Sequence, residues 1–167
     1  KANVQTRGVS GNMRQSDILE VFSIYAQANT SSSELSRVLI EFDVTEISTD
    51  RANGVVPASG SVSFFLKMYN ARHSQTTPNN FTIAVSAIQK PWNEGLGLDM
   101  EDYSDIDASN WVSASAATSW TTAGGDYVAG TSPGDYQYLF TQTFDTGFED
   151  LEIDVSHLIE DWIKGSG

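Results

Sequence analysis

Cysteine is missing from this 167-residue chain altogether. That excludes disulfides, thiol nucleophiles and cysteine-ligated zinc. It says little about compartment, since an extracellular protein of this size can do without disulfides. Positive charge is scarce: 9 Lys and Arg stand against 22 Asp and Glu, for a net charge of −13. No Lys- or Arg-rich run offsets it. Such a surface is a poor match for phosphate backbones and anionic membranes, so neither nucleic acid nor a membrane is an expected partner. No stretch approaches the roughly 18 apolar residues of a membrane span. The only histidines are His73 and His157. Neither has a Ser or Cys at motif spacing, there is no G-x-S-x-G, and a zinc site is not expected from two distant histidines. His73 reads as a solvated turn residue, and His157 as one that packs or caps near a helix start.

What is abundant is Ser, Thr, Asn and Gly, a bias toward strands and turns over surface helices. The length fits a single domain over residues 1–167, enough for one core without staples. The chain opens at Lys1 without Met, which reads as a processing point or a fragment boundary.

Period-two alternation is the clearest pattern. In "SRVLIEFDV", Val38, Ile40, Phe42 and Val44 alternate with Leu39, Glu41, Asp43 and Thr45, as in a strand with one buried face. "SVSFFLKMY" places Val62, Phe64, Leu66 and Met68 inward, and "FTIAVSAI" does the same with Phe81, Ile83, Val85 and Ala87. "DILEVF", with Ile18, Glu20 and Phe22 on one face, is a weaker version. "YQYLFTQTF" and "LEIDV" complete at least six expected strands. The connections are rich in Gly, Pro, Asn, Asp and Ser. After Ile153 the period switches. Leu158, Ile159, Trp162 and Ile163 form a helical stripe that Asp154 or Ser156 can cap and Gly165 can end. The expected fold is all-β: an antiparallel, jelly-roll-like β-sandwich with one short C-terminal helix and long loops. The expected core includes Val38, Ile40, Phe42, Phe64, Leu66, Ile83, Val85, Ile153 and Trp162.

The segment "WNEGLGLDMEDYSDIDASNW", from Trp92 to Trp111, concentrates acid. Asp99, Glu101, Asp102, Asp105 and Asp107 could offer the hard oxygens that Ca²⁺ prefers. The spacing is not that of an EF-hand, and the plainer reading, a solvated loop held off the core by its charge, is preferred. A catalytic carboxylate pair would need a fixed separation and one raised pKa, and nothing apolar surrounds these residues to raise one. No catalytic residue is assigned.

Aromatic rings give the other binding possibility. Tyr103, Trp111, Trp120 and Tyr127 could stack on the apolar face of a sugar if exposed; the competing role is to anchor long loops as satellite clusters. Trp162, in the helix stripe, is core. Arg37 could clamp Glu34, Glu41 or Asp43 across the sheet or form a surface pair of little energetic weight. "TAGGDY" is a tight turn, too short for a phosphate loop. Asn29-Thr-Ser and Asn80-Phe-Thr match the glycosylation sequon, as chance allows in this composition.

The order of these pieces carries a resemblance. "SRVLIEFDVTEI", "SFFLKMYNA", "AIQKPWNEG" and "LEIDVSHLIEDWIKG" resemble the DNRLRE, or carbohydrate-binding module family 96-like, β-sandwich domains. The matches run from Arg37 to Asp43, from Trp92 to Glu94 and from Asp154 to Gly165, so Arg37, Phe42, Asp43, Trp92, Glu94 and Trp162 are the implied structural residues. "SDILEVF", "FFLKMYNARHSQTTP", "WNEGLGLDMEDYSDID" and "GGDY" are similar to the version of this domain in structural proteins of tailed bacteriophages. That likeness implies that the acidic segment is a loop built onto the sandwich. Family members continue past the helix with further strands, so the domain is expected to lack its last strands or to have them completed by a neighbour.

The resemblance implies a non-enzymatic structural component of a phage virion: a capsid decoration, fibre or tail-associated protein. Its expected partners are other virion proteins or copies of itself, with no cofactor expected, although the likeness does not exclude a Ca²⁺ in the acidic loop. The alternative is a carbohydrate-binding module of a secreted or cell-surface protein, with a cell-surface glycan on the four loop rings.

Overall fold

The computed structural model describes residues 2–5, 11–25, 33–74, 76–97, 108–130 and 138–165. Its strands pair antiparallel throughout and two short helices accompany them, a mainly-β fold. The chain divides into two compact units, Lys1–Glu41 with Ile88–Tyr127, and Phe42–Ala87 with Val128–Gly167.

In the first unit, β1 (Ala2–Gln5) and β2 (Ser23–Tyr25) both pair with β3 (Ser33–Leu39), and β6 (Ser113–Ser115) pairs with β7 (Thr118–Ser119). Leu39 faces Ala2, and Leu35 faces Ser23. The buried Ser36 hydroxyl donates to the Glu20 carbonyl at 2.6 Å and accepts from the Phe22 N–H at 2.8 Å. It therefore ties "DILEVF" to β3 although no strand forms over residues 17–22. The core joins Leu39, Trp111, Ala114 and Trp120, with Leu35, Ile88 and Trp92 packed against them.

β3 corrects the expected inward set. Leu39 is buried, Val38 and Ile40 are half-buried, and the strand ends before Phe42, which is 53% exposed and not core. Val38, Leu39 and Ile40 are all apolar, so alternation alone cannot choose the face, and a slip of one residue exchanges the two sets. The chain then turns: the Asp43 carboxylate accepts the Thr45 N–H at 2.8 Å. This opens α1 (Thr45–Ala52), a second helix where the sequence suggests only one. α1 buries no residue completely, so it lacks the apolar stripe that would reveal it.

The second unit holds two ribbons, β4 (Phe65–Met68) with β9 (Leu151–Asp154), and β5 (Phe81–Ser86) with β8 (Leu139–Phe144). Leu66 lies opposite Ile153 and Met68 opposite Leu151, while Phe81 stacks on its partner Phe144 at 5.0 Å. These inward residues share one cluster with Phe64, Ile83, Val85 and Trp162, as the alternation predicts. Gln142 joins the ribbons. Its amide donates to the Asp150 carbonyl at 2.8 Å, just before β9, and accepts from the Glu152 N–H at 2.8 Å, so a side chain satisfies a backbone group on the edge of β9.

α2 (Ser156–Ile163) follows β9 directly, and its Leu158 and Ile159 are buried. The Asp154 carboxylate accepts the Ser156 N–H at 2.9 Å, and the Ser156 hydroxyl accepts the Phe64 N–H at 2.8 Å. Gly165, at φ 75°, ends the helix with its N–H on the Trp162 carbonyl.

Candidate functional site

Arg37 lies on β3 between two rings. Its guanidinium carbon is 5.0 Å from the Trp111 ring centre and 4.8 Å from that of Tyr127. Its Nη1 donates to the Gly124 carbonyl at 2.7 Å. Gly124 is required here: at φ +92°, a Cβ would sit 2.6 Å from Nη1 and 2.8 Å from the Trp111 ring. The sequence leaves Arg37 open between a carboxylate clamp and a surface pair; among the described residues its guanidinium lies in an aromatic sandwich, which suits a planar, weakly hydrated cation. Asp43 instead serves Thr45, whose hydrogen bonds hold its carboxyl below the usual range.

The same packing corrects the proposed sugar platform. Trp111 and Trp120 are 8% and 6% exposed. The Trp120 indole N–H donates to the Asn110 carbonyl at 2.8 Å. Both rings anchor their loop to the core and offer no face to a ligand. Tyr127 is partly exposed but is engaged with Arg37. Tyr103 and the candidate Ca²⁺ ligands Asp99, Glu101, Asp102, Asp105 and Asp107 lie outside the described residues. Trp92 packs on the Trp111 cluster, and Glu94 pairs with Arg14 at 3.2 Å on the surface.

Asn12, unmarked in the sequence, ties the two chain segments that flank residues 98–107. Fully buried, it donates to the carbonyls of Glu94 at 3.1 Å and Ser109 at 2.7 Å, and its Oδ1 accepts the Arg14 N–H at 2.9 Å. Gly97 passes so close that a Cβ there would lie 2.0 Å from the Asn12 carbonyl oxygen. "TAGGDY" is fixed by its own acid. Asp126 pairs with Lys90 at 2.6 Å and accepts the N–H groups of Thr121 and Thr122. Lys90 first, and those amides next, keep its carboxyl well below the usual range.

In the second unit, the Tyr138 hydroxyl donates to Asp161 Oδ2 at 2.9 Å, the same oxygen lies 3.4 Å from His157 Nε2, and the Tyr138 and His157 rings stack at 5.9 Å. His157 therefore packs, as its place at the helix start suggests. His73 differs from a merely solvated turn residue by stacking on Phe148 at 6.3 Å.

Phe148 belongs to the most exposed aromatic group among the described residues. Because Leu66 and Met68 point inward, Phe65, Lys67 and Tyr69 point outward. Phe65 is 49%, Tyr69 81% and Phe148 65% exposed. Asn70, next after Tyr69, fixes the 145–150 turn: its N–H donates to Asp150 Oδ1 at 2.8 Å and its side chain to the Gly147 carbonyl at 2.9 Å. Lys67 lies over the Phe65 ring at 5.8 Å and pairs with Glu152 at 3.0 Å. These rings sit on a ribbon backed by a packed cluster. The arrangement offers apolar area, one ammonium and adjacent carboxylates in fixed register, which is chemistry for binding another surface. No family model, no curated protein and no solved structure matches this chain.

Proposed function

We propose that this chain is a structural component of a bacteriophage particle, a capsid decoration, fibre or tail-associated protein, and that it acts through protein–protein contacts. In this reading the two ribbons of the second unit are facing layers of a jelly-roll-like β-sandwich. The observation that carries the reading is the outward face of β4 and β9, where Phe65 and Tyr69 are held in solvent by the same alternation that buries Leu66 and Met68. Large exposed rings in a fixed framework are characteristic of surfaces that meet another protein. The likeness of "SDILEVF", "FFLKMYNARHSQTTP", "WNEGLGLDMEDYSDID" and "GGDY" to segments of tailed-bacteriophage structural proteins supports the placement in a virion by resemblance.

Cryo-electron microscopy of purified particles tests it. The expected map shows ordered copies of the chain with the β4–β9 face against a neighbouring subunit. Particles that lack the chain, or copies that hang free with this face in solvent, would contradict it.

A further inference from the structure

The outward face of the β4–β9 ribbon divides into two columns of different character. β4 presents Phe65 and Lys67, with Tyr69 just beyond its end; β9 presents Glu152 and Asp154. The register sets Lys67 beside Glu152 and Phe65 beside Asp154. Neighbouring strands are about 4.8 Å apart. A two-fold axis lying in the plane of contact and along the strands would carry each β4 column onto the β9 column of a facing molecule, at the same height.

We propose that this face binds a second copy of the same chain, with Lys67 of each copy set over Glu152 of the other. The charge pattern selects this occupant. The chain carries a net −13, so two copies repel in most orientations. This face pairs a cation with an anion at one level, and the two-fold operation turns that pair into an alternating square of four charges. Isologous contact needs just such self-complementarity. Phe65 flanks the square along β4, over Asp154 of the other copy, whose carboxylate keeps its hydrogen bond from the Ser156 N–H. The inference rests on the proposed function and names the partner at that surface.

Sedimentation equilibrium of the full chain, of Lys67→Glu, of Glu152→Lys and of an equal mixture of the two variants tests it. The wild-type chain dimerises. Each single variant places like charges over one another and binds itself at least about tenfold more weakly. Mixing them restores the dimer, as one copy of each, because every facing pair is then opposite in sign. Lys67 and Glu152 side chains are 50% and 56% exposed, so both variants keep the fold, and circular dichroism checks this. A monomeric wild type, single variants that dimerise like wild type, or a mixture that stays monomeric overturns the proposal. A monomer whose β4–β9 face is nonetheless covered by a different protein in the particle overturns self-pairing and leaves the functional reading standing. A particle in which that face meets solvent overturns the functional reading itself.

Discussion

Arg51 on α1 grips Glu160 on α2 with both arms of its guanidinium: Nη1 to Oε2 at 2.7 Å and Nη2 to Oε1 at 2.8 Å. The two side chains are only 15% and 8% exposed, and Arg51 Nε also donates to the Pro57 carbonyl at 3.0 Å. This is the bidentate, mostly desolvated geometry in which removing one partner strands a charge. Arg51→Met is expected to destabilise the chain by about 3–5 kcal/mol in urea unfolding, and Arg51→Met with Glu160→Leu to recover most of that. A loss below about 1 kcal/mol for the single variant would show that the pair behaves as a surface contact.

Glu149 gives the stability an acid limb. Its Oε1 accepts the N–H groups of Thr146 at 2.8 Å and Asp145 at 3.1 Å. The Thr146 amide above all pulls its pKa from 4.5 down to about 2. A depressed carboxyl stabilises the fold above its unfolded value and stops doing so once pH falls through its folded value. Glu149→Gln should therefore be less stable than wild type near neutral pH, with the gap closing between 4.5 and about 2. Thermal unfolding across that window checks it, and a gap of constant size would contradict the assignment.

Asn12 is expected to be intolerant of substitution. Asn12→Ala removes the amide that donates to the buried Ser109 carbonyl and also to that of Glu94, a loss of about 1–3 kcal/mol. Asn12→Asp should cost more at neutral pH, because a carboxylate would face both carbonyls in a fully buried position. Chemical denaturation of the two variants ranks them; an Asp variant as stable as wild type would remove Asn12 from this role.

Phe42 and Phe144 separate surface from core. Phe144 is 3% exposed and Phe42 53%. Phe144→Ala should cost about 3–5 kcal/mol, and Phe42→Ala less than about 1 kcal/mol. Equal losses would restore Phe42 to the core.

Much of the second unit is legible in sequence. Leu66 and Met68, then Phe81, Ile83 and Val85, follow the pleat, and Leu158, Ile159, Trp162 and Ile163 follow the helical turn. The outward row Phe65, Lys67 and Tyr69 is the complement of that alternation. What local pattern does not reveal has physical causes. α1 has no apolar stripe, although Asp43 before it and Asn53-Gly54 after it are start and stop signals. The continuous run Val38 to Ile40 hides which face of β3 is buried. Asn12 bonds across 82 and 97 residues of sequence, and Arg51 reaches Glu160 across 109. Contacts of that span leave no local trace. The burial of Trp111 and Trp120 follows from the path of their loop, which composition does not specify.

Hydroxyl-radical footprinting of the chain in its native assembly, compared with the same chain released from it, tests most directly whether the β4–β9 face is the working surface. The account predicts that Phe65, Tyr69 and Phe148 are protected in the assembly while Tyr127 reacts equally in both. Equal reactivity of Phe65, Tyr69 and Phe148 in the two states would contradict it.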